Sequence, residues 1–174
     1  MNRRTAIRNV VIFSAGTALL PSCFQQDKSS LVLKNISITA AEEKMLAALA
    51  EAIIPTTKDF IGAKGLRSHE FILTMLDDCT GPEEQKKFTD GLKAFDKLSH
   101  DRSGQLFTGF TADQKKSLLS DIENKKNVPG EVLNFYKTVK QYTVQSFTSS
   151  KEYMTEIRKY KMVPGSDFKG CVKV

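Results

Sequence analysis

Residues 132–147 read Val-Leu-Asn-Phe-Tyr-Lys-Thr-Val-Lys-Gln-Tyr-Thr-Val-Gln-Ser-Phe. Within them Val132, Phe135, Tyr136, Val139, Tyr142, Thr143 and Phe147 recur every three or four residues, the spacing that gathers side chains on one face of an α-helix. This is the longest helical pattern in the chain, and the apolar clusters outward from it share its period. No stretch sustains the strict alternation of a half-buried strand. The expected fold class is therefore all-α: a single compact domain of about five to six helices around one core.

Punctuation residues place the other helices. Thr39-Ala40-Ala41-Glu42 is a capping box, in which Thr39 caps the helix start and Glu42 reaches back. Leu46, Leu49, Ala50, Ile53 and Ile54 follow at helical spacing, and Pro55 stops the helix. Residues 56–65 read as a loop. Ser68 is a plausible cap for a second helix with Phe71, Ile72, Met75, Leu76 and Cys79 as its buried stripe. Thr80-Gly81-Pro82-Glu83 repeats the capping logic ahead of a third helix carrying Phe88, Leu92, Phe95 and Leu98. Residues 99–110 read as a loop with Phe107 and Phe110 tucked inward. Thr111-Ala112-Asp113-Gln114 is a further capping box, leading to Leu118, Leu119 and Ile122. Asn127-Val128-Pro129-Gly130 breaks the chain before the long helix. A short helix from about Lys151 to Tyr160, capped by Ser150, precedes an irregular tail.

The N-terminus has a different character. Arg3, Arg4 and Arg8 make a charged start without acids, and an apolar run from Val10 to Leu20 follows. That run is too short for a membrane span, which needs about 20 apolar residues; it has the layout of a secretory signal. Leu20-Pro21-Ser22-Cys23 resembles a bacterial lipobox, in which Cys23 is lipidated and becomes the first mature residue. Arg3-Arg4 resembles a twin-arginine export signal, although Ala6 stands where Phe is usual. The alternative is an ordinary signal with two adjacent arginines. The expected organisation is a signal peptide over 1–22, a tether over 23–38 and a helical domain over 39–174. Within the tether, Leu31-Val32-Leu33 and Ile36-Ser37-Ile38 are suited to pack as a strap on the domain. The expected location is the periplasmic side of a membrane, held by the lipid on Cys23.

Removing the signal changes the charge balance. The chain has 26 Lys and Arg against 20 Asp and Glu, a net +6. Without Arg3, Arg4 and Arg8 the balance is 23 against 20, a net +3 spread over 152 residues. No basic block is suited to a phosphate backbone, so nucleic acid is not an expected partner. Beyond Cys23, the cysteines are Cys79 and Cys171. They are candidates for an intramolecular disulfide in an oxidising compartment. Two separate thiols, or a bond from Cys171 to a partner chain, are the alternatives.

The search for chemistry finds little. His69 and His100 are far apart and in no metal-ligand spacing. His69, beside Glu70, reads as a surface histidine, and His100-Asp101 as part of a solvated loop. There is no haem motif, no nucleophile elbow and no dinucleotide-binding glycine pattern. Asp77-Asp78 and Glu83-Glu84 lack the spacing of a calcium loop.

The ordered set of segments resembles the gluconate 2-dehydrogenase subunit 3 family. It is carried by Thr39-Ala40-Ala41-Glu42 leading into Leu46 through Pro55, by Glu70-Phe71-Ile72 and Met75 through Cys79, by Gly91 through Asp96, and by Phe110 through Gln114. It continues through Phe147 to Ser150, Tyr160 through Gly165 and Gly170-Cys171-Val172. The chain departs from the family pattern over 60–68, where members are richer in Pro and Gly. The resemblance implies an accessory subunit without a catalytic site or cofactor of its own. Its partner would be a large flavoprotein of the glucose–methanol–choline oxidoreductase type, holding FAD and oxidising a sugar or sugar acid, with a haem c cytochrome as a further subunit. The small subunit would assist export, folding or docking of the large one. Two other readings remain: a lipid-anchored protein binding a small ligand between its helices, and an enzyme using His100 and Asp101.

Overall fold

Two capping boxes fix where helices begin. Thr39 Oγ1 accepts from the Glu42 N–H at 3.2 Å while the Glu42 carboxylate accepts from the Thr39 N–H at 2.8 Å. Thr111 and Gln114 repeat the exchange at 3.3 and 2.9 Å. The computed structural model describes residues 29–160. Over that range it is helical: α1 (Ala40–Ile53), α2 (Ser68–Cys79), α3 (Pro82–Ser103), α4 (Ala112–Glu123) and α5 (Gly130–Ser149). A 3₁₀ turn, Phe107–Gly109, links α3 to α4, and a π-helical segment, Tyr153–Ile157, follows α5. No strand occurs among the described residues. The all-α expectation therefore holds. The signal region with Arg3 and Arg4, residues 23–28 of the tether with Cys23, and the tail with Cys171 lie outside the described residues.

The long helix quoted first is the centre of the bundle. α5 packs along α3 and α2 and also touches α1 and α4. Its buried side chains are Val132, Phe135, Tyr136, Val139, Thr143 and Ser146. Phe135 meets Phe88 and Phe95, with ring centroids 5.0 and 5.6 Å away, and Phe95 meets Phe107 at 5.1 Å. Such tilted and edge-on pairs add about 0.5–1.5 kcal/mol each beyond the area they bury. Gly91 lets α3 cross α5 closely: a Cβ there would lie 2.7 Å from Phe135 Cβ and 2.9 Å from the Glu131 carbonyl oxygen.

Several boundaries differ from expectation, each for a local reason. Ser68 is the first helical residue of α2 and not its cap; Arg67 precedes it in the left-handed region at φ 54°. The Ser68 hydroxyl is fully buried and accepts from Ser146 Oγ at 3.0 Å. Thr80 does not cap α3. Its hydroxyl turns back to donate to the Leu76 carbonyl at 2.6 Å, and Gly81 is the cap, with Pro82 in the first turn. α3 runs on through His100, Asp101 and Arg102, which were expected in a loop, and ends where Gly104 takes φ 69°. That left-handed C-cap favours glycine. Cys79 is exposed, not part of the buried stripe; Leu73 and Asp77 take that side of α2. Phe107 and Phe110 are buried as expected. The closing helix is π-helical, and Ser150 Oγ accepts from the Tyr153 N–H at 3.2 Å at its start.

Residues 29–38 lie across α1 and α2 as a strap. Ile36 and Ile38 are buried in the core, and Leu31 and Leu33 pack against it. Two carboxylates hold the backbone between them. Asp77 Oδ2 accepts from the Lys34 N–H at 2.8 Å, and its Oδ1 accepts from the N–H groups of Asn35 and Ile36 at 2.6 and 3.0 Å. Glu43 accepts from Ser29 Oγ at 2.9 Å, from the Ser30 N–H at 2.7 Å, and from the Ser30 hydroxyl.

Candidate functional site

The alanines of α1 decide where the bundle is open. Leu46, Leu49 and Ala50 face the core, while Ala40, Ala41, Ala47, Ala48 and Ala52 form a second stripe on another side. Small side chains there leave a groove of about 1340 Å³ between α1 and α4. Tyr136 and Lys140 of α5 line it, with Leu106 and Thr108 from the turn before α4. Five lysines surround it: Lys44, Lys64, Lys115, Lys116 and Lys140.

Two acids also line the groove, and both are already engaged. Glu123 accepts from Lys140 Nζ at 2.5 Å and from the Tyr136 hydroxyl at 2.7 Å. These donors, Lys140 foremost, hold its carboxyl below the ordinary glutamate value against the opposing effect of burial. Burial, then the bond to Glu123, pushes the Tyr136 phenol above its usual range. Glu51 accepts from the backbone N–H groups of Thr56 and Lys64 at 2.8 and 2.9 Å, tying the loop after α1 back onto the helix. Among the described residues, Lys44, Lys64, Lys115 and Lys116 have no carboxylate within 4 Å of Nζ. Lys115 Nζ instead sits 5.6 Å from the centre of the Phe107 ring. The groove thus carries a local excess of positive charge over a small-residue floor, although the described residues together are close to balanced.

A second cluster lies beneath the strap. His69 is not a surface residue: its side chain is only 14% exposed, with Nε2 3.8 Å from carboxylate oxygens of both Glu43 and Glu70. Nδ1 is buried and finds no hydrogen-bond partner among the described residues. Burial lowers the His69 pKa from its ordinary value; Glu70 and Glu43 oppose that shift and Arg67 adds to it. Burial alone would raise Glu43, but the donors from Ser30 and Ser29, with His69 nearby, outweigh it and hold that carboxyl low. The cluster acts as a clamp for the strap.

The residues singled out from sequence are not assembled into one centre. His100 and Asp101 are exposed neighbours on the last turn of α3, where adjacent side chains point in different directions. Arg102 beside them bonds Asp121 at 2.7 Å and the Lys126 carbonyl at 3.1 Å, a link from α3 to α4. Cys79 ends α2, and its candidate disulfide partner Cys171 lies outside the described residues. Among the described residues, no three His, Cys, Asp or Glu side chains are grouped to hold a metal, and no helix is long and apolar enough to cross a membrane.

Fold and groove together define a small all-α bundle with an open, lysine-rimmed face. The sequence profile of the family described as Gluconate 2-dehydrogenase subunit 3 matches residues 40–165, and the chain belongs to that family. Comparison with curated proteins and with solved structures returns no match. The matched range takes in all five helices and both capping-box glutamate and glutamine residues, so it covers the whole bundle that builds the groove.

Proposed function

We propose that this chain is a non-catalytic accessory subunit of an exported, membrane-associated, FAD-dependent dehydrogenase of sugars or sugar acids. Its partner is a flavoprotein of the glucose–methanol–choline oxidoreductase type, which holds the FAD, with a cytochrome c subunit to take the electrons. The observation that carries the reading is the family match over residues 40–165. The groove supports it: at about 1340 Å³ it exceeds the ~300–1,000 Å³ usual for small-molecule sites and suits a macromolecular segment. That comparison also favours a docking role over the alternative of a lipid-anchored binder of small ligands.

In this reading each part of the chain has a task. Arg3 and Arg4 direct the chain, and a folded, FAD-loaded partner with it, through the twin-arginine route. Cys23 then takes the lipid anchor on the periplasmic side. The strap joins that anchor to the bundle through Glu43 and Asp77, so the domain is held within a few residues of the membrane surface. The test is Arg3→Lys with Arg4→Lys. It should leave both this chain and its flavoprotein in the cytoplasm. Full flavoprotein activity in the periplasm of the variant would overturn the carrier role. Cys23→Ala should release the chain from the membrane; undiminished palmitate labelling of that variant would rule out Cys23 as the anchor.

A further inference from the structure

We propose that the groove between α1 and α4 takes an acidic, amphipathic helical segment of the flavoprotein subunit, an inference that rests on the accessory-subunit reading above. Charge argues for the occupant. Lys44, Lys64, Lys115 and Lys116 face the groove without carboxylate partners among the described residues, and both lining acids, Glu51 and Glu123, are engaged. An occupant bearing carboxylates would satisfy those ammonium groups, and rim charges of this kind steer encounter and set register.

Shape argues for a helix. Alanine along α1 lets a second backbone approach closely, as bulkier side chains would not. A helix about 10 Å across gains 1.5 Å per residue, so a groove of 1340 Å³ holds roughly three turns. Leu106, 54% exposed at the groove's edge, offers an apolar contact for the buried face of such a helix.

The chain's own ends are poorly suited to fill it. Residues 161–174 carry Lys161, Lys169 and Lys173 against Asp167. Residues 1–28 carry Arg3, Arg4, Arg8 and Lys28 against Asp27. Both are basic and would meet the lysines with like charge. A flat membrane surface matches the charge but not the concavity.

The experiment is co-expression of the full chain with its flavoprotein subunit and co-purification through a tag on this chain. Two variants probe the groove by different means: Lys44→Glu with Lys116→Glu reverses charge, and Ala48→Trp fills the floor. Each should reduce recovered flavoprotein by about tenfold or more while the melting temperature stays within a few degrees of wild type. If Ala48→Trp fails to fold, the charge-reversal pair still decides the matter. Zero-length carbodiimide crosslinking of the wild-type complex should join Lys44 or Lys116 to Asp or Glu side chains of one flavoprotein segment. Reversing those acids to Lys should restore assembly with the charge-reversed chain. Wild-type recovery by the folded variants overturns the groove assignment and leaves the accessory reading standing. Failure of the wild-type chain to recover any flavoprotein removes the accessory reading and this inference with it. Crosslinks from the groove to a second copy of this chain overturn the inference. So does loss of binding to phosphatidylglycerol vesicles with flavoprotein recovery intact.

Discussion

Replacing Asp77 by alanine should detach the strap, and the structure sets the size of the effect. Asp77 is 5% exposed, and its carboxylate accepts from three backbone N–H groups, those of Lys34, Asn35 and Ile36. Hydrogen bonds to a charged group contribute about 1.5–3 kcal/mol each, but water can replace part of that at exposed donors. Lys34 and Asn35 are exposed, so the main loss comes from the buried Ile36 N–H, with smaller losses from the other two. A cost of about 2–4 kcal/mol follows. Detachment cannot cost much more than the burial of Ile36 and Ile38, about 1.5–3 kcal/mol each. Urea unfolding of wild type and Asp77→Ala measures the difference, and hydrogen exchange at Lys34, Asn35 and Ile36 locates it. At roughly 2–4 °C per kcal/mol for a domain of this size, the melting temperature should fall by about 4–16 °C. The pH dependence has a definite sign. Burial would raise the Asp77 pKa, but the three N–H donors and the Lys34 charge outweigh it and hold it below the ordinary 3.8. The folded state therefore binds this proton less readily than the unfolded chain. The stabilisation is complete above 3.8, is lost as pH falls from there through the folded pKa, and should be absent from Asp77→Ala. A loss under about 1 kcal/mol, with the three amides as protected as in wild type, would refute the reasoning.

Other perturbations have equally definite outcomes. Gly91→Ala should destabilise by about 1–3 kcal/mol, because its new methyl meets Phe135 Cβ and the Glu131 backbone rather than a flexible side-chain end. Thermal melts check this, and a gain in stability, as alanine's helix preference alone would give, would contradict the crossing geometry. Burial, with Arg67, lowers the folded pKa of His69 below the ordinary 6.5 despite the opposing Glu70 and Glu43. Wild type should lose stability as pH falls from 6.5 through the folded value, and His69→Gln should lose less; equal slopes in urea titrations between pH 8 and 5 would contradict that burial. A disulfide between Cys79 and Cys171 would close a loop of about 90 residues, which the chain-entropy account values at roughly 4–5 kcal/mol before strain. Non-reducing peptide mapping should show the two cysteines linked; both free in exported protein would rule the bond out.

Local features were the legible ones. Thr39–Glu42 and Thr111–Gln114 are capping pairs three residues apart, so one short window contains the whole interaction. The period of Val132 through Phe147 likewise carries the central helix. What escaped the sequence involves partners far along the chain. Asp77 looks like half of an acidic pair with Asp78 until residues 34–36, more than 40 positions away, fold over it. Glu43 carries no signal until Ser29 and Ser30 bond it, His69 reads as a surface residue until it packs beside Glu43, and Ser68 looks like a cap until Ser146, 78 positions on, meets it in the core. α3 runs on into the 99–110 stretch that reads as a loop, beginning with Ser99. The Ser99 hydroxyl donates to the Phe95 carbonyl inside the helix at 2.8 Å, and the glycine that ends the helix stands at 104. The groove had one visible signal: six alanines in a fourteen-residue helix, more than a single core face needs. The lysines opposite them come mainly from α4 and α5, so only the packed bundle brings the positive rim together.

In the function proposed above, this chain works bound to a flavoprotein. The most direct test of that association is to tag the chain at the end of the bundle, isolate it from the membrane fraction of cells expressing the neighbouring genes, and record the absorption spectrum of the purified material. A flavin band should run in constant proportion to this chain through gel filtration, with a large flavoprotein present in equal amount. Purification of the chain alone, with no flavin and no large subunit while dehydrogenase activity persists elsewhere in the same cells, would contradict it.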